Sequence, residues 1–115
     1  MALEDGAARV RLATVPEMAA DAEGLVHGGF LFGAADYAAM LAVNHPHVVL
    51  GGAEVKLLKP MRVGETVEIE ARTEAVEGRK HRVRVVARRG EEAVMEGLFT
   101  CFVLDRHVLA PKEAP

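Results

Sequence analysis

The chain has no serine and no glutamine, a single asparagine (Asn44) and a single cysteine (Cys101). The absence of serine excludes every mechanism built on a serine nucleophile. One cysteine cannot close an internal disulfide, and with five scattered histidines it gives no CxxC or HExxH spacing for zinc, so no metal is expected. Scarce amides beside abundant Glu and Arg point toward a thermophilic source, where heat-labile side chains are disfavoured and ion-pair networks are common. No apolar run approaches the ~20 residues that span a bilayer. Met1 to Glu4 lacks the basic stretch and apolar segment of a secretory signal, so the expected location is cytoplasmic. The net charge of −3 comes from interspersed acids and bases. Without a basic stripe or an aromatic row, nucleic acid is not an expected partner.

What is present fits one domain over residues 1–115, with 1–6 and 110–115 expected to fray; half of the 115 residues are apolar, enough for one core. Arg9 to Val15 alternate as a half-buried strand does, with Val10 and Leu12 on one side and Arg9 and Arg11 on the other. Pro16 to Leu25 has no clear period and reads as a connection with room for a helical turn. Gly28 to Val43 is rich in helix formers and apolar on nearly every face. Such a helix is ~24 Å long and must be buried; Asn44, His45 and Pro46 stop it.

The remainder alternates with period two, and four strands in antiparallel succession are expected over Val48–Lys59, Glu65–Val76, Lys80–Arg88 and Glu92–Leu104. Val67, Ile69 and Ala71 should face inward and Glu68, Glu70 and Arg72 outward. Glu77-Gly78 and Arg89-Gly90 supply hairpin turns, and Pro60 with Gly64 a bend. Gly51-Gly52 signals a bulge or a close approach of another backbone. The class is α+β, in the order β-α-β-β-β-β. A helix apolar all round is not satisfied by one sheet face, so a second copy related by two-fold symmetry is expected to cover the rest.

Asp36 is the only ionisable side chain with a carboxylate between His27 and Val43. A buried, unpaired carboxylate costs several kcal/mol, so it has a hydrogen-bond partner, a raised pKa, or a wet cavity beside it. A structural pairing with an arginine across an interface accounts for the pattern equally well. His27-Gly28-Gly29 places approachable N–H groups at the positive end of the helix dipole, which suits an oxyanion; glycines at a loop-to-helix junction also serve backbone conformation alone. Gly28 and Asp36 are ~12 Å apart along a helix. They cannot both touch one carbonyl within a chain, whereas two antiparallel helices about a two-fold axis can bring the start of one to the middle of the other.

Cys101, between Thr100 and Phe102 in an expected buried strand, reads as core. His45-Pro46-His47 follows the helix and reads as its stop. Gly78 to Arg82 and Lys59 to Arg62 are basic and able to meet phosphates, though most such clusters are solvated turns.

The string from Val26 to Ala39, with HGG at 27–29, Asp36 and Ala38, resembles the central-helix signature of hotdog-fold thioesterases, closest to the phenylacetate-pathway type. Lys59-Pro60-Met61-Arg62-Val63-Gly64-Glu65-Thr66-Val67 resembles a strand connection of that superfamily. The resemblance implies a long central helix wrapped by a curved five-stranded antiparallel sheet, a homodimer or a dimer of dimers, and sites at the interface. It implies an acyl-CoA thioesterase needing no cofactor, in which Gly28 polarises the thioester carbonyl, Asp36 is general base or nucleophile and His27 assists orientation. Gly29, Phe30, Tyr37, Lys59 and Arg62 are then the expected substrate contacts. Upstream, Ala20-Asp21-Ala22-Glu23-Gly24 departs from the polar pair that often precedes HGG in relatives. The ending Phe99 to Leu109 resembles small hotdog proteins that bind acyl-CoA without turnover, so a non-catalytic sensor is the second expectation.

Overall fold

The computed structural model describes residues 2–109, and the expected fraying of 110–115 lies outside them. Its elements are β1 (Ala2–Glu4), β2 (Ala7–Ala13), a single 3-10 turn (Pro16–Met18), α1 (Gly28–Val43), β3 (Val48–Leu57), β4 (Thr66–Glu77), β5 (Lys80–Arg89) and β6 (Glu92–Val103). The helix has the expected limits. The five expected strands are all present, and β1 adds a sixth inside the segment expected to fray.

All neighbours in the sheet are antiparallel, in the order β1-β2-β4-β5-β6-β3. Succession therefore holds for β4, β5 and β6 but not for β3, which pairs with β6 at the far edge. The link from Leu58 to Glu65 is too long for a hairpin, and Pro60 within it has no N–H for a ladder. It runs past the start of α1 to reach β4 on the other side. Two short hairpins join β4 to β5 and β5 to β6, with Gly78 (φ 62°) and Gly90 (φ 63°) at the first loop position, where positive φ favours glycine.

The sheet packs on α1 through Val67, Ile69 and Ala71 of β4, Val83, Val85 and Ala87 of β5, and Met95, Phe99 and Cys101 of β6, all buried. Facing them are Leu31, Ala35, Ala38, Ala39 and Ala42. Four small alanines at helical spacing let the helix axis approach the sheet closely. The other sheet face is charged, with Arg9–Glu70 (3.4 Å), Arg11–Glu68 (2.8 Å) and Arg84–Glu74 (3.0 Å) bridging adjacent strands. These solvated pairs contribute little each.

At Gly51 the expected bulge is present, and the close neighbour is a side-chain ring, not another backbone. The β3–β6 register shifts between Leu50 and Gly52, and a Cβ on Gly51 would overlap the Phe102 ring. Asn44 ends α1 in the left-handed region at φ 52°, its N–H donating to the Met40 carbonyl at 2.9 Å. Among the described residues no helix is long and apolar enough to cross a membrane.

Candidate active site at the start of the helix

His27 is the N-cap of α1, yet its side chain makes no capping hydrogen bond and no acid lies in the first turn. Its own N–H donates to the Met18 carbonyl at 3.0 Å. Gly28 and Gly29 follow, and among the described residues neither N–H has a hydrogen-bond acceptor, as befits the first turn of a helix. Gly29 has no atom within 4 Å of a would-be Cβ, whereas at Gly28 the Leu57 Cδ1 would be 3.0 Å away. The positive end of the dipole is thus left for an outside acceptor, with Leu57 laid beside it.

Next to these amides is a cleft of about 290 Å³, walled by Leu25, Val26, Leu31, Leu57, Leu58 and Met61, with His27, Gly28 and Lys59 on it. Val26, Leu31 and Met61 are buried and close its base, while Leu25, Leu57 and Leu58 are exposed. The segment before the helix is stitched to the segment after β3: the Val26 N–H donates to the Met61 carbonyl (2.8 Å) and the Val63 N–H to that of Gly24 (2.8 Å). Thr14, a buried polar residue, donates its hydroxyl to the Glu65 carbonyl at 2.6 Å. Arg89 holds the same loop from the sheet side. Its guanidinium donates to the Pro60 carbonyl (3.0 Å), to Glu65 (3.0 Å) and to Glu92, while Glu65 also accepts the Arg62 N–H at 2.6 Å.

One carboxylate oxygen of Asp36, Oδ1, is sealed and has no hydrogen-bond partner among the described residues. Burial raises its pKa, and among the described residues no cation offsets the effect; the pairing with an arginine weighed from sequence is one across an interface. The carboxylate is not part of the cleft lining. A single chain therefore does not bring Asp36 and Gly28 together.

Phe30 and Tyr37 lie on the outward stripe of α1, 42% and 53% exposed. Lys59 is on the cleft, and Arg62 is in the adjoining depression with Asp21, Glu23 and Glu65. Cys101 is fully buried and its thiol is pushed up to about 11, first by burial and then by the charge of Asp36; it is core. His45 accepts the His47 N–H at 3.0 Å, within the turn that follows the helix. Sequence reading missed Leu57, Met61, Thr14 and Arg89. Alternation marks the first two only as strand and loop, and nothing in the sequence pairs Thr14 or Arg89 with the loop they hold.

Residues 23–96 match the family model described as the thioesterase superfamily. Among curated proteins the chain is 54% identical over 102 residues to a methylthioribose-1-phosphate isomerase of Aquifex aeolicus, covering 88% of this chain and 22% of that protein. It is 29% identical over 87 residues to the transcription factor FapR of Shouchella clausii, covering 76% of this chain and 46% of that protein. The chain thus spans less than half the length of either relative. Among solved structures, an uncharacterized protein from Pyrococcus horikoshii is 53% identical with a TM-score of 0.93, covering 94% of this chain and 83% of that one. A mutant of the phenylacetic acid degradation protein PaaI from Thermus thermophilus is 28% identical with a TM-score of 0.83, covering 90% of each chain.

Proposed function

The chain belongs to the thioesterase superfamily, with the hotdog fold, and from that premise we propose that it hydrolyses acyl-CoA thioesters as a homodimer. The observation that carries the reading is the pairing, on one helix, of the unbonded Gly28 amide on an apolar cleft with a carboxylate whose Oδ1 has no hydrogen-bond partner among the described residues. The first is suited to a developing oxyanion and the second to a general base.

In this reading two helices lie antiparallel about the two-fold axis, and the Gly28 amide of one subunit reaches the Asp36 region of the other. The thioester carbonyl accepts the Gly28 N–H, which draws charge from its carbon. Asp36 takes a proton from water as the oxygen attacks, and the tetrahedral oxyanion is held by the amide. Collapse breaks the carbon–sulfur bond, and the thiolate leaves with the proton Asp36 carried. Thioesters are already activated, so one polarising amide and one carboxylate suffice without serine. The outward apolar stripe with Phe30 and Tyr37 supports a dimer, since it would otherwise face water. The isomerase activity of the Aquifex protein is not carried over, because the shared segment is 22% of that protein.

The test is Asp36→Asn, which should remove hydrolysis while acyl-CoA binding and folding persist; unchanged turnover would end the assignment. That one relative is a transcription factor supports a second, non-catalytic reading, in which this chain binds acyl-CoA in the same cleft as a sensor. Incubating the protein with acyl-CoAs and a thiol reagent separates the two: saturable binding without thiol release supports the sensor.

A further inference from the structure

We infer that the cleft beside Gly28 receives the acyl group, that it admits only short acyl chains, and that Met61 at its base sets the length limit. This rests on the thioester reading of the site. At about 290 Å³ the cleft is at the lower end of the range of small-molecule pockets, roughly 300–1,000 Å³. Its walls are mainly carbon, from Leu25, Leu57 and Leu58, with the polar side chains of His27 and Lys59 also on it, so the carbon walls suit an apolar acyl chain.

The base is closed and stiff. Met61 is 4% exposed and packs in the core with Val26 and Leu31. Its carbonyl is tied to the Val26 N–H at 2.8 Å, so the backbone cannot withdraw to admit a longer chain. Leu57 works from the other end. Its Cδ1 stands where a Cβ on Gly28 would be 3.0 Å away, so an acyl group whose carbonyl meets the Gly28 amide passes along this side chain. Met61 limits depth and Leu57 limits width.

The test compares kcat/KM over CoA thioesters from acetyl through dodecanoyl for the natural protein, Met61→Ala and Leu57→Trp. The natural protein should prefer the shorter members. Met61→Ala should move the preference ratio of octanoyl over butanoyl upward by about tenfold, the scale of a methylene or two in an apolar pocket, and Leu57→Trp should move it downward. Leu57 is 59% exposed, so its replacement keeps the question open to test even where Met61→Ala fails to fold. Binding of non-hydrolysable acyl-CoA thioethers is measured alongside. Turnover whose length profile ignores both substitutions overturns the inference and leaves the thioesterase reading standing. Length-dependent binding that shifts with the substitutions, without turnover, supports the acyl pocket and overturns the thioesterase reading instead.

Discussion

The Asp36 carboxylate lies near enough to Cys101, between α1 and β6, for its charge to add to burial in holding that thiol at about 11. Phe32 and Phe99, one helical turn and two strand residues earlier, have ring centroids 5.5 Å apart, so the two pairs form consecutive rungs between helix and sheet. A thiol held that high is neutral near pH 7 and a poor nucleophile. Alkylation of Cys101 by iodoacetamide should be negligible in the folded protein at neutral pH. Asp36→Asn should lower the thiol's pKa in a labelling-versus-pH profile, since it deletes a negative neighbour. Rapid labelling of the folded natural protein at neutral pH would contradict this arrangement.

The raised pKa of Asp36 has opposite consequences for rate and for stability. The ionised form is the one that accepts a proton from water, so kcat/KM should climb with pH through a value above the ordinary 3.8 and then level. For stability, the folded-state pKa exceeds the unfolded one. The folded chain therefore binds more protons between the two values, and stability falls as pH rises through that window. Asp36→Asn should accordingly raise Tm at neutral pH and lose that advantage below the unfolded pKa. A lower Tm for Asp36→Asn at neutral pH would show that the carboxylate is satisfied in the folded protein.

Arg89 acts on the cleft from a distance, by holding the loop that forms one wall. Arg89→Met removes its bonds to the Pro60 carbonyl and to Glu65, so KM should rise several-fold with kcat little changed, and added salt should mimic part of the effect. The hydrogen bond from Arg89 also lowers the pKa of Glu92. Its stabilising effect is present above the unfolded carboxylate pKa and is lost as pH falls through the lower folded value. An unchanged KM in Arg89→Met would mean that the Thr14 and Val26 bonds hold the loop without it.

The elements that sequence disclosed are those in which period and punctuation agree. Gly28 to Val43 opens on two glycines after His27 and is closed by Asn44, and its limits were legible to the residue. Val67, Ile69 and Ala71 announced their face through charged neighbours on either side. The placement of β3 was not legible, because local alternation fixes which face a residue takes but not which strand it pairs with. The cleft was half legible. His27-Gly28-Gly29 and Lys59 are visible as motifs, but Leu57 and Met61 belong to it only because the Leu58–Glu65 link passes the helix start. Asp36 stood out as a lone acid, while its distance from Gly28 within one chain follows from helix geometry alone.

Gly51 is replaceable only together with its neighbour. A methyl group at Gly51 enters the Phe102 ring, so Gly51→Ala should cost about 1–3 kcal/mol, the usual scale of overpacking. Phe102→Ala should relieve the clash, making the double variant more stable than the two single losses summed. A denaturant double-mutant cycle measures this coupling. Additive losses would show that the β3 bulge can relax away from the ring without help.

The composite nature of the proposed site is open to a complementation test. Asp36→Asn removes the base but leaves the Gly28 amide intact. Gly28→Val does the reverse: it places side-chain atoms against Leu57 and covers the amide, yet leaves Asp36. Each variant alone should be inactive. If each site joins one subunit's Gly28 to the other's Asp36, a dimer of one variant with the other contains one site with both defects and one with neither. Random exchange puts half the dimers in this mixed state, so mixing should restore about a quarter of the natural activity. A site within one chain gives no recovery on mixing, because every subunit carries a defect. Phe30→Lys, on the outward stripe of α1, should abolish both the dimer in sedimentation and the recovery, whereas a Phe30→Lys protein that is monomeric and fully active would remove the need for a partner.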